Sequence, residues 1–292
     1  GDLLELQEID VLYCGFGTSD FYSTNIPQVS LIIDALHRDL PEALPPEEVA
    51  HREAWYQREI ARSTLIQTNS KFCVESLKRH YGIPAEKVFH IYAPLHGRFN
   101  RVEMGQLPDP LRGLEHKYFL YPANFWPHKN HECLLLGFNK FIHESGSDYH
   151  LVLTGSGPPD RQSEIQEIAK SLGLTGRVQF TGHLDSPDFK ALWELNAGLI
   201  FPSLYEGFGL PLLEAMHFQK PIACHRHQTA IELLGSSASL FDGRKPAEIA
   251  SALTILAQES KPAAPSPLPN FDFVKEAKSL RDYLKLSSSN PL

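Results

Sequence analysis

The segment Ser203-Leu-Tyr-Glu-Gly-Phe-Gly-Leu-Pro-Leu-Leu-Glu-Ala-Met216 joins an apolar run, Ala197 to Pro202, to a short helical pattern, Pro211 to Phe218. The run reads as a buried strand, and Pro211 suits the first turn of a helix. The segment is therefore a strand, a glycine-rich turn and a helix. Glu206 lies in the turn, and Glu214 about one turn inside the helix. Gly207 and Gly209 leave the backbone open to close approach, and the start of the helix offers N–H groups to an anion. Two carboxylates beside an anion site suit a ligand that carries both hydroxyls and phosphates. A glycine-rich turn that merely caps a buried helix is the plainer alternative.

Composition narrows the field. The chain has 292 residues, 42% of them hydrophobic, which is enough for two packed cores. A formal charge of -8 argues against a nucleic-acid surface and lends nothing to a basic membrane-docking patch. No run of eighteen apolar residues is present, so no spanning helix is implied. The opening Gly1-Asp-Leu-Leu-Glu-Leu-Gln7 lacks the pattern of a signal peptide, and the expectation is a cytoplasmic protein. Cys14, Cys73, Cys133 and Cys224 show no paired metal spacing and read as free thiols in a reducing compartment.

Outward from the opening stretch, strands alternate with helices. Residues 9–14, 28–33, 63–68 and 87–92 read as strands, with helices over 45–62 and 70–81 between them. A second series follows a crossing at Ala93-Pro-Leu-His96. Its strands are 117–122, 149–154, 177–181, 197–202 and 220–224, and its helices 130–144, 161–172, 187–196 and 211–218. Leu134, Leu135, Phe138, Phe141 and Ile142 make one helical stripe, and Ile249, Leu253 and Leu256 line a later one. Residues 261–269 read as a proline-rich loop and 271–286 as a final helix. Such alternation implies parallel sheets covered on both faces. The expected domains are 1–95, partial, then 96–270, with 271–292 packing back as a helix and tail.

Several stretches carry candidate chemistry. Tyr121-Pro-Ala-Asn-Phe-Trp-Pro-His-Lys-Asn-His131 follows a strand and opens a helix, so Lys129 is a cation beside a helix N-terminus, suited to a diphosphate. His128 and His131 have no third ligand in view, and loop or cap roles suit them better than metal binding. His150-Leu-Val-Leu-Thr-Gly-Ser-Gly157 runs from a strand into a Gly-x-Gly turn, a weak dinucleotide signal without its third glycine.

Glu206-Gly-Phe-Gly-Leu-Pro-Leu-Leu-Glu214 resembles the two-glutamate motif of retaining glycosyltransferases of family 4, which have the GT-B fold. Val178 to Trp193 and the segment around Lys129 match the same family, and the resemblance is strongest over 117–241. It implies two Rossmann-like, doubly wound α/β units facing a cleft, the first of them incomplete here. It also implies transfer of a hexose, mannose favoured, from a nucleotide-diphosphate sugar (GDP-mannose, then a UDP-hexose) to a glycan, lipid-linked or other hydroxyl acceptor. No permanent cofactor and no metal are required.

By the same resemblance Glu214 takes the ribose hydroxyls and Glu206 those of the transferred sugar. The N–H groups of Phe208, Gly209 and Leu210, beside Gly207, meet the sugar and distal phosphate. Gly155 edges the nucleotide pocket, and His183 and Leu184 lie against the base. Two departures stand out. Asn124 occupies the place of an arginine, and Ile33 the place of a sugar-side histidine, with Asp34 aligned to the family aspartate and His37 to a second histidine. These departures and the short first unit support an alternative, a non-catalytic nucleotide-sugar-binding fragment or subunit that needs a partner chain. A nucleotide-sugar epimerase is a third reading, and the 206–214 spacing speaks against it.

Overall fold

The computed structural model describes residues 9–17, 19–93, 99, 101–235, 237–258 and 278–284. They form two compact units. The first comprises Gly1–Pro94, Glu206–Phe208 and Pro269–Leu292, and the second Leu95–Tyr205 and Gly209–Leu268.

The first unit holds β1 (Leu12–Cys14), β2 (Gln28–Leu31), a one-turn helix α1 (Leu36–Asp39), α2 (Pro46–Arg62), β3 (Leu65–Thr68), α3 (Lys71–Tyr81) and β4 (Val88–His90). The four strands pair in parallel in the order β1-β2-β3-β4. Both faces are covered, as parallel sheets require. On one face Ile32, Tyr56, Ile66, Leu77 and Val88 pack together. On the other, Val29, Leu65 and Phe89 meet Leu280 and Leu284 of the helical segment 278–284. The ends of α3 follow from its sequence. Ser70 Oγ accepts from Cys73 N–H at the start, and Gly82 takes a left-handed conformation, φ 62°, at the end.

The second unit carries six strands: β5 (Tyr118–Pro122), β6 (His150–Thr154), β7 (Val178–Gly182), β8 (Gly198–Phe201), β9 (Ile222–His225) and β10 (Ser239–Phe241). The helices are α4 (His131–Ser145), α5 (Pro159–Ser171), α6 (Ser186–Leu195), α7 (Leu210–His217), α8 (Gln228–Leu234) and α9 (Pro246–Gln258). All strands are parallel, in the order β10-β9-β8-β5-β6-β7. Winding reverses between β5 and β8, so a crevice opens at their carboxyl ends. Leu120, Val152, Leu199 and Ala223 are fully buried in the sheet.

The alternating α/β pattern expected from sequence is present, with strands shorter than their apolar runs. Three elements escaped it: α1, α8 and β10. Each is seven residues or fewer, too short for a helical or strand period to register. Residues 94–96 of the expected crossing, the 261–269 loop and most of the 271–286 helix lie outside the described residues. Cys14, Cys73 and Cys224 are buried free thiols, and Cys133 is half-buried. Among the described residues, no helix is long and apolar enough to cross a membrane.

Helices α4 and α9 touch through Gly137. A β-carbon there would lie 2.6 Å from Ile249 Cβ and 3.0 Å from the Pro246 carbonyl. Gly137→Ala gains about 1 kcal/mol of helix propensity but overpacks a branched side chain at about 1–3 kcal/mol. Packing wins because the blocking atom is a β-carbon and cannot swing away. Urea unfolding of Gly137→Ala should show a net loss of up to about 2 kcal/mol.

Candidate active site

The crevice between β5 and β8 is built by loops that hold one another. After β5, Ala123 N–H donates to the Thr154 carbonyl and Phe125 N–H to the Ser156 carbonyl, at 2.9 and 3.0 Å. Ser156 N–H donates in return to Asn124 Oδ1, 3.0 Å. A turn of 3-10 helix, Pro127–Lys129, then leads to Asn130, which is left-handed at φ 61°. Asn130 Nδ2 donates to the carbonyls of Pro202 and Gly243, at 3.2 and 2.7 Å. Leu204 N–H donates to the His128 carbonyl at 2.8 Å, and Tyr121 OH to the Lys129 carbonyl at 2.7 Å. The backbone of Lys129 is thus held between the β5 and β8 loops, with its side chain half-exposed.

Several candidate residues belong to the second unit. Gly155 has φ 145°, and a β-carbon there would sit 2.5 Å from the Ala123 carbonyl. The glycine therefore admits the neighbouring loop. Gly155 N–H and Thr154 Oγ1 both donate to the Gly182 carbonyl, at 3.1 and 2.8 Å, which fixes the chain just before His183 and Leu184. His183 is exposed and Leu184 half-buried. Asn124 is exposed and spends its side-chain oxygen on the β6 loop. Gly209 is left-handed at φ 92° and starts α7 without a side-chain cap, and Pro211 removes one N–H from the first turn. Leu210 is exposed, whereas Glu214 is only 6% exposed.

Glu206, Gly207 and Phe208 group with the first unit. What approaches Gly207 is the protein's own chain. A β-carbon there would collide with the Ile33 carbonyl oxygen and lie 2.9 Å from Asp34 Cβ. Ser70 Oγ donates to the Gly207 carbonyl at 2.7 Å, with Cys73 Sγ 3.2 Å from the same oxygen. Phe208, 6% exposed, stacks on Tyr92 at 5.9 Å, and Glu206 is half-buried.

His37 departs from the sequence reading. It is 1% exposed, with Nε2 2.8 Å from Tyr81 OH and its ring 4.3 Å from that of Tyr56. Burial lowers its pKa despite Glu53 and Asp34 nearby. The turn of α1 carries the ring inward, so in this arrangement His37 is a core residue.

The sequence reading gives Asn130 no role, although asparagine is among the few non-glycine residues that tolerate a left-handed backbone. For His131, at the start of α4, it expects a loop or cap role. His131 is 1% exposed, stacked on Phe125 at 4.6 Å, and neither ring nitrogen meets a partner among the described residues. Burial, then the charges of Arg161, Lys129 and His128, hold its pKa down at about 3. No three of the described His, Cys, Asp and Glu side chains converge as metal ligands would.

The profile of the family described as glycosyl transferases group 1 matches residues 116–259. The serotype-specific mannosyltransferase WbdA of Escherichia coli is 29% identical over 241 residues, 77% of this chain and 29% of that protein. The O-antigen chain mannosyltransferase B of Escherichia coli is 25% identical over 206 residues, 69% of this chain and 54% of that protein. The chain therefore spans between about a third and a half of these relatives. Among solved structures, Anabaena HepE in complex with UDP and glucose superposes with TM-score 0.64 at 19% identity, over 90% of this chain and 67% of that one. Sucrose-phosphate synthase of Thermosynechococcus elongatus gives 0.66 at 18%, over 81% and 60%. The fold is of GT-B type.

Two outcomes follow from the frame. Asn130→Ala, losing the left-handed tolerance and two buried bonds, should cost about 2–3 kcal/mol in urea unfolding, and Asn130→Gly should recover about 1 of these. His131 has a folded pKa of about 3 against an ordinary 6.5, so between these values only the unfolded chain takes the proton. Its share of stability is complete above pH 6.5 and drains as pH falls toward 3. His131→Phe should reduce the acid slope of unfolding free energy by one proton, about 1.4 kcal/mol per pH unit.

Proposed function

Because the chain belongs, through residues 116–259, to the glycosyl transferases group 1 family, we propose that it is a retaining glycosyltransferase of glycan synthesis. It moves a hexose, mannose before others, from a nucleotide-diphosphate sugar to a hydroxyl acceptor. The observation that carries this reading is the braced loop that presents Lys129 at the carboxyl end of β5, next in the sheet to β8 and the uncapped start of α7. Strand switch points of this kind are where open α/β sheets bind nucleotides.

The chemistry asks for charge stabilisation. As the sugar's C1–oxygen bond breaks, negative charge builds on the leaving diphosphate. Lys129 and the N–H groups of Gly209 and Leu210 are fixed donors for it, joined in the family scheme by that of Phe208. Glu214, nearly buried, accepts from the ribose hydroxyls. Glu206 takes hydroxyls of the transferred sugar, and the backbone at His183 and Leu184 faces the base. No side chain is assigned as a covalent nucleophile. Mannose leads because WbdA and O-antigen chain mannosyltransferase B carry it in their names. GDP is the first expectation for the base and UDP the second.

A second reading, a nucleotide-sugar-binding module that turns over only with a partner chain, draws on the buried His37 and on Asn124, a neutral side chain occupied with Ser156. Turnover by the isolated chain would remove it.

Calorimetric titration with GDP, UDP and their hexose conjugates tests the donor site. Glu214→Ala should weaken nucleotide binding by about 1–3 kcal/mol, because buried ribose hydroxyls lose their acceptor. Equal affinity in a folded Glu214→Ala protein would remove the site assignment.

A further inference from the structure

A cavity lies at the amino ends of central strands of the second sheet. It measures about 390 Å³ and is lined by Phe99, Lys190, Glu194, His217, Phe218 and Gln219. Lys190 sits midway along α6 and Glu194 near its end, which leads into the amino end of β8. His217 ends α7, whose chain runs on to the amino end of β9. The candidate donor residues stand at carboxyl ends of the strands, so this cavity is separate from them. Its size falls in the lower part of the ~300–1,000 Å³ range of small-molecule sites.

The walls are set in advance. Phe99 packs on Phe218 at 4.9 Å, and Phe218 stacks on the buried Trp193 at 5.8 Å. Lys190 Nζ donates to the carbonyls of Phe99 and Val102, at 3.2 and 2.9 Å. Lys220 Nζ donates to those of Glu194 and Asn196, at 2.7 and 3.0 Å.

Gln219 is the unexpected part. The end of α7 is a Schellman turn, with Gln219 N–H donating to the Met216 carbonyl at 3.1 Å and Lys220 N–H to the Ala215 carbonyl at 2.8 Å. The residue between must be left-handed, and Gln219 has φ 51°. Glycine takes that conformation without strain, and glutamine does not. The exposed side chain is kept at a position where it costs stability, and it faces the cavity. Backbone strain held at a cavity wall points to use.

The lining also narrows the ligand. One carboxylate and one ammonium balance each other, so a phosphate or carboxylate ligand gains little. Four of the six lining residues, Lys190, Glu194, His217 and Gln219, are polar, which disfavours a lipid chain. Carboxylate, amide and imidazole together offer both acceptors and donors, as a polyol requires. We propose that this cavity, through Glu194, His217 and Gln219, is a binding site for a neutral saccharide, holding part of a glycan away from the reacting sugar. The choice of a saccharide rests on the glycosyltransferase reading; the site itself does not.

Titration calorimetry of the whole chain with mannotriose, and separately with GDP and UDP, tests it. The wild-type chain should bind mannotriose. Gln219→Gly should raise Tm by relieving the turn, yet weaken mannotriose at least tenfold, and Glu194→Gln should weaken it without unfolding the chain. Nucleotide affinity should be the same in both variants. A folded wild-type chain that ignores mannotriose, or variants that bind it as well as wild type, would overturn the proposal. Saccharide binding that responds to Gln219 in a chain that binds no nucleotide would leave this site standing and remove the donor reading instead.

Discussion

One asparagine ties the second unit's loops together. Asn130 sits left-handed between a 3-10 turn and α4, and its amide reaches the loops after β8 and β10 at once. A backbone that turned the other way would send α4 off the sheet and carry Lys129 with it. The glycines at 155 and 157 depend on the same loop, since their missing β-carbons make room for Ala123 and Phe125. The β6 loop is thus shaped by the β5 loop, and the β5 loop by Asn130. Rigidity in this region comes from carbonyl and amide pairs between neighbouring loops, which suits a site that must hold fixed donors.

Much of this was legible in the sequence. Apolar runs of four to six residues between helical stripes gave both sheets, because buried parallel strands need side chains that are apolar on both faces. A helix start is readable where chemistry marks it, as at Pro211 in the first turn of α7. The elements that escaped, α1, α8 and β10, are held by tertiary packing and carry no period of their own. The order β10-β9-β8-β5-β6-β7, which places the β5 and β8 loops side by side, is a long-range fact that local pattern does not encode.

The candidate residues divide along the same line. Residue type and spacing nominate Lys129 and Glu214, and both follow parallel strands of the second sheet, β5 and β8. Close backbone approach is legible at Gly207 from its residue type, and the structure shows the Ile33 carbonyl lying against it; Gly155 likewise admits Ala123. A sequence shows that a backbone must be approached and not by what. His37 was misread because its burial depends on Tyr56 and Tyr81, which arrive from α2 and α3.

His131 shows how these local facts combine. A buried imidazole with no partner for either nitrogen is a cost to the fold. Here burial keeps the ring neutral, and the charges of Arg161, Lys129 and His128 push in the same direction. Arg161 is in turn paired with Glu132 and Glu164, so the positive field around His131 is partly balanced by carboxylates at the surface. The main chain of Lys129 is held by the frame, its carbonyl accepting from Tyr121 OH and its N–H donating to the Trp126 carbonyl. A buried histidine that stays uncharged thus sits at the start of α4, beside a loop whose main chain is fixed from both sides.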